Sequence, residues 1–253
     1  MIAVLSPAKS LDYESAFPSV DPTEPRFAHE AEQLAAAAAK LTKPKLAKLM
    51  HISDTLAALN VSRFRGFMDQ PERPAIYAFD GDVYTGFEAR SLEPEAIGYA
   101  QDHVRILSGL YGLLRPLDLI RPYRLEMGVK WAPGRTKDVY AHWGARIADL
   151  LARDLHADGS GIIVNLASQE YWGAVAPTPP AGARILTIDF REDGPKGLRF
   201  NSFGAKRARG MMARYICEHR IADVAGLKTF DSDGYAYTAD GSDDAVLRFV
   251  RTR

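Results

Sequence analysis

The chain has 253 residues, 47 % apolar and 25 % charged, enough for a sizeable core in one large domain or two small ones. Basic and acidic side chains both number 32, so the chain as a whole is no polycation. Its one cysteine, Cys217, excludes an internal disulfide, a two-cysteine redox switch and a four-cysteine zinc site, and no apolar run nears the roughly 20 residues that cross a bilayer. These features suit a reducing, cytoplasmic setting with no membrane partner.

In chain order, Met1-Ile2-Ala3-Val4-Leu5-Ser6-Pro7 lacks a basic leader, and its apolar run is too short for a signal peptide. It reads as a first strand over 2–5. Further β-type runs bounded by turn residues fall at 75–79, 161–166, 184–190 and 198–202. The segments 235–238 and 246–251 flank Asp240-Gly241 and read as a terminal hairpin. Helical periodicity covers 26–41, 43–60, 94–113, 141–155 and 203–220. Strands separated by helices predict a single α/β domain, and the hairpin makes its sheet mixed and flanked by helices.

Charge is unevenly placed. Residues 115–137 hold Arg115, Arg121, Arg124, Lys130, Arg135 and Lys137 against Asp118 and Glu126. Residues 196–214 hold Lys196, Arg199, Lys206, Arg207, Arg209 and Arg214 against no acid. Such polarity steers a polyanion to one face, although neighbours in sequence need not form one surface. On a helical wheel, Lys206, Arg207, Arg209, Arg214 and Arg220 share an arc opposite Met211, Met212, Tyr215 and Ile216. This is a basic ridge for phosphates or a solvated face with ordinary salt bridges. Gly204 and Gly210 permit close approach of a backbone, from the protein or a ligand.

The stretch Leu107-Ser108-Gly109-Leu110-Tyr111-Gly112-Leu113-Leu114-Arg115-Pro116 places two glycines three apart at the end of a helical run. Gly109 and Gly112 then suit a helix-hairpin-helix turn whose amides, with Arg115, Arg121 and Arg124, meet DNA phosphates without reading sequence. Glycine also simply closes helices. Asp80-Gly81-Asp82 follows a predicted strand, where Asp82 suits acid–base work or merely a turn. Asn165-Leu166-Ala167-Ser168-Gln169-Glu170 also leaves a strand, the position at which open α/β sheets bind ligands. Asp82, Glu126, Ser168 and Glu170 are therefore the candidate catalytic residues. Ser6-Pro7-Ala8-Lys9 has a Ser-x-x-Lys spacing but leaves a strand, which favours Lys9 as a phosphate contact over Ser6 as a nucleophile. Phosphate-loop, dinucleotide and EF-hand signatures are missing, and the six histidines lack ligand spacing, so neither a cofactor nor a metal is expected.

Several strings carry a family resemblance: Ser6 to Lys9 with Leu11-Asp12-Tyr13, Ile52-Ser53-Asp54, Gly81-Asp82-Val83-Tyr84-Thr85-Gly86, and the run Leu107 to Gly128. Asn165-Leu166-Ala167-Ser168, Glu170-Tyr171 and Ala208-Arg209-Gly210 continue it. In this order they resemble the YaaA family of peroxide-stress resistance proteins. The resemblance implies a bacterial cytosolic protein that limits hydrogen-peroxide damage by restraining free iron. It also implies a single-domain fold with a positively charged cleft and a helix-hairpin-helix-like element that binds DNA. Double-stranded or branched DNA is then the expected partner, and a monomer the favoured state. Two positions depart from the family pattern: Gly173, often lysine, and Gly204, commonly tyrosine.

Overall fold

The computed structural model describes residues 1–195 and 197–252. The basic residue Lys196 falls outside them. Ile2–Leu5 is apolar at every position, as a strand covered on both faces must be, and all four residues have zero exposure. It lies inside a seven-stranded sheet. The strands run in space as Tyr235–Thr238, Val246–Arg251, Arg184–Glu192, Ile162–Asn165, Ile2–Leu5, Val104–Ser108 and Gly112–Leu114. The five inner strands are mutually parallel, and an antiparallel strand closes each edge. The expected mixed α/β sheet is thus present, with its helices packed along it.

The terminal hairpin forms as its Asp-Gly signal requires, with Tyr237 opposite Phe249. Arg146–Asp158 buries Ile147, Ala148, Leu151 and Leu155, and Ser202–Glu218 buries Ala205, Ala208, Met212, Ala213, Ile216 and Cys217. Cys217 is fully buried, and burial pushes its thiol up to about 12.

Five expected elements differ. The helix over 141–155 is two helices, Val139–Trp143 and Arg146–Asp158, broken at Gly144, whose φ is 52°. The helix over 94–113 ends at His103, because Val104–Ser108 is a fully buried strand that periodicity cannot separate from a buried helix turn. The helix over 43–60 breaks into Lys43–Met50 and Asp54–Arg65. His51 turns left-handed at φ 51°, and the Ser53 hydroxyl caps the second helix by accepting from the Leu56 amide. The strand over 75–79 is one helical turn, Ala75–Ala78, followed by the two-residue strand Phe79–Asp80. The segment 198–202 contributes only an isolated bridge between Arg199 and Glu192.

The basic helix Ser202–Glu218 crosses the short helix Asp82–Phe87 backbone against backbone. A Cβ on Gly86 would lie 2.1 Å from the Arg207 carbonyl oxygen, and one on Gly210 would lie 1.8 Å from that of Val83. The protein's own backbone, rather than a ligand, occupies the space that Gly210 leaves. Gly210→Ala is expected to cost about 3 kcal/mol through overpacking, which lowers the thermal midpoint by about 6–12 °C for a chain of this size. An unchanged midpoint would contradict the close crossing. In the native protein Cys217 is expected to resist a thiol-specific disulfide reagent, with full reaction only after unfolding; stoichiometric labelling of the folded chain would show that the thiol is open to solvent.

Candidate functional site

Parallel strands end together. Ile2–Leu5 pairs in parallel with Ile162–Asn165, Val4 opposite Asn165, so Ser6 and Ser168 leave the sheet side by side. The Ser168 amide donates to the Ser6 hydroxyl at 2.9 Å, and the two hydroxyls are 3.3 Å apart. The Tyr84 hydroxyl donates to the Ser6 carbonyl at 3.0 Å. No base faces Ser6 within hydrogen-bond reach among the described residues, so this serine is held in place rather than activated. Beyond the strand ends opens a cleft of about 440 Å³, within the range of small-ligand sites.

One wall of the cleft is acidic. The antiparallel pair Ser10–Leu11 and Phe79–Asp80 ties the loop after the first strand to Asp80 and Asp82. Asp82 opens the helix Asp82–Phe87. Ser168 caps Gln169–Trp172, and Glu170 in that turn accepts the Gly128 amide at 3.0 Å. Lys206 and Arg209, one turn apart, line the same cleft, and so does Lys9. Lys206, Arg207 and Arg209 make no salt bridge among the described residues. Burial lowers the Arg209 pKa, and Asp189 partly offsets this. A half-buried guanidinium that faces a cleft without a carboxylate partner is a ready anion contact.

Lys9, Asp82, Ser168, Glu170, Lys206 and Arg209 therefore meet at one place. Glu126 stands just beside it. Its Oε1 accepts from Arg124 Nε at 3.0 Å and lies 3.8 Å from Lys9 Nζ, while its buried Oε2 has no partner. Ser6 and Asp80 line the cleft too. The signal for both was available: each sits where a strand ends.

The remaining basic candidates are neutralised within the fold. Arg115 binds Asp118 at 2.8 Å and also donates to the Glu24 carbonyl. Arg121 pairs with Glu72 at 2.9 Å in a separate hollow, and Arg214 is held by Glu218, Glu88 and the Phe87 carbonyl. Arg199 is bound to Glu192.

Gly109 and Gly112 do not form a helix-hairpin-helix turn: they bracket the tight turn between two antiparallel strands. A Cβ on Gly109 would strike the Leu125 carbonyl at 2.2 Å, and Gly112, at φ +67°, lies against the Trp143 ring. Both glycines serve packing and a turn between strands rather than a turn between helices. Two short helices joined by a tight turn do occur, at Lys43–Met50 and Asp54–Arg65, where Lys45 and Lys48 are exposed. At Gly173 a Cβ would stand 3.2 Å from Tyr140, and at Gly204 one would stand 2.6 Å from the Glu192 carboxylate. A tyrosine at 204 would need that carboxylate to move.

The cleft can thus hold an anion against two or three cations while carboxylates accept hydrogen bonds from the same ligand. Among the described residues, no group of three or more His, Cys, Asp or Glu side chains could hold a metal ion, and no helix is long and apolar enough to cross a membrane.

Comparison with known proteins agrees along the chain. A family profile described as "Peroxide stress protein YaaA" matches residues 1–241. A UPF0246 protein of Rhizorhabdus wittichii is 67 % identical over 253 residues, covering all of both chains. One from Polynucleobacter necessarius is 47 % identical over 259 residues, again across both chains in full. The UPF0246 protein IL2146 of Idiomarina loihiensis is 49 % identical over 255 residues, 99 % of this chain and 98 % of that protein. With a family match over nearly its whole length and these strand-end residues in place, the chain belongs to the YaaA family of peroxide stress proteins.

Proposed function

We propose that this chain limits peroxide and free-iron damage by binding the phosphate backbone of DNA, double-stranded or branched, along the exposed side of Ser202–Glu218 at the mouth of the cleft. One observation carries the reading. Among the described residues Lys206, Arg207 and Arg209 make no salt bridge, whereas Arg115, Arg121, Arg124 and Arg214 are all paired. Three such cations on one helix make a local positive field that attracts an anion. Lys45 and Lys48 on the short helix pair add exposed positive charge elsewhere on the molecule. The setting is the cytoplasm, where the DNA lies. Restraint of iron damage then acts at the DNA rather than by sequestering the metal.

A second reading is favoured by the acidic wall. A groove for polyanions has no need of Asp80, Asp82 and Glu170, whereas an enzyme acting on a nucleotide, nucleobase or other phosphorylated metabolite does. Lys206 and Arg209 would then stabilise charge on the substrate.

Titration with duplex and branched DNA at two salt concentrations tests the first reading. If each of the three cations meets one phosphate, a rise from about 50 to about 200 mM salt lowers affinity about 40-fold through their share of counterion release. A variant with Lys206, Arg207 and Arg209 changed to alanine is expected to lose that share of the salt slope and bind correspondingly weakly at low salt. Salt-independent binding, or an unaffected variant, would overturn the reading. Turnover of a nucleotide that Asp82→Asn abolishes while DNA affinity stays unchanged would favour the enzyme.

A further inference from the structure

The basic helix carries a feature that phosphate binding does not use. At its start, Phe203 is 70 % exposed and Phe200 is 53 % exposed. Single exposed apolar residues are ordinary on protein surfaces. These two lie three residues apart, each with a cation over its ring: Lys206 Nζ is 5.8 Å from the Phe203 centroid, and the Arg191 guanidinium is 5.6 Å from that of Phe200.

The platform is held rigidly from beneath. The Asn201 side chain accepts the amides of Phe203 and Gly204 and donates to Glu192 at 2.8 Å. Glu192 is 2 % exposed and is bound in turn by Arg199 and Arg251. Burial works against its charge, but Asn201, Arg251 and Arg199 together hold its pKa below the usual carboxylate value. Helix start, cap and buried carboxylate therefore fix the backbone from which Phe203 projects.

Phe203, Lys206 and Arg209 follow one another at a spacing of three along one side of the helix, about 4.5 Å of axial rise per step. Lys206 and Arg209 line the cleft. An aromatic face, two cations in file and a cleft with hydrogen-bond acceptors match the parts of a nucleotide: base, phosphate and sugar hydroxyls or amino groups.

We infer that the Phe203–Lys206–Arg209 stripe binds a single unpaired nucleotide, with the base stacked on Phe203, the phosphate on Lys206 and Arg209, and Asp82 in the cleft accepting its hydroxyl or amino donors. Stacking of a base on an exposed aromatic ring tolerates any sequence and requires that the base be unpaired. The inference rests on the reading of the helix cations as phosphate contacts. The same chemistry is offered by an unpaired nucleotide within a strand and by a free nucleoside monophosphate.

The test uses the full chain with three probes: a single-stranded oligonucleotide, its duplex of equal length, and adenosine monophosphate. Phe203→Ala is expected to weaken single-strand binding at least about five-fold while duplex affinity and thermal midpoint stay unchanged, and Phe203→Tyr is expected to restore it. Adenosine monophosphate that binds by calorimetry in a Phe203-dependent way identifies the free nucleotide as a ligand. If it does not bind while the strand effect holds, the nucleotide is recognised within a strand. Equal binding of single strand and monophosphate by wild type and Phe203→Ala overturns the inference and leaves the phosphate reading standing. A Lys206, Arg207 and Arg209 triple variant that binds duplex like wild type removes the phosphate reading itself.

Discussion

Two glycines that face each other's helix set the geometry on which the cleft depends. Gly86 admits the Arg207 carbonyl and Gly210 admits that of Val83, so Asp82–Phe87 and Ser202–Glu218 touch through their backbones. Any side chain at either position would wedge the helices apart. The same crossing brings Asp82, at the start of one helix, and Lys206 with Arg209, on the flank of the other, to one opening at the sheet's carboxyl edge. A packing constraint between two backbones thereby fixes the spacing of groups that carry opposite charge.

The electrostatics of the molecule divide by pairing rather than by sequence. Most arginines in this fold are structural. Arg105 and Arg26 bind Asp154, Arg73 and Arg90 bind Asp12, and Arg214 fastens the basic helix to the carbonyls that end its neighbour. Their value lies in satisfying buried or half-buried acceptors, and an external anion would have to compete with those partners. Lys206, Arg207 and Arg209 stand outside this network. The zero net charge thus conceals, on one helix, three cations that no salt bridge ties down among the described residues.

This division explains how far the sequence could be read. The first strand, the terminal hairpin and the basic helix were legible because each carries a local signal: an apolar run, an Asp-Gly turn and a sustained helical period. Val104–Ser108 was not, since it continues a helical pattern without a break and only its place beside Ile2–Leu5 makes it a strand. His51 hid a break for a similar reason: a left-handed residue other than glycine leaves no mark in the sequence. At the site, Lys9, Asp82, Ser168, Glu170, Lys206 and Arg209 converge because several of them leave strand ends, a topological rule that sequence can apply. Arg115 and Arg121 resemble ligand contacts equally well in sequence. What sets them apart is their pairing, with Asp118 in a tight turn and with Glu72 far along the chain, and the latter pairing depends on tertiary contacts.

The burial of Cys217 has a consequence for a protein whose family works under peroxide. Peroxide attacks thiolate, and a thiol with so high a pKa, sealed against the sheet, offers almost none near neutral pH. The fold therefore keeps its one cysteine out of the oxidant's reach for as long as the helix that carries it stays packed on the sheet.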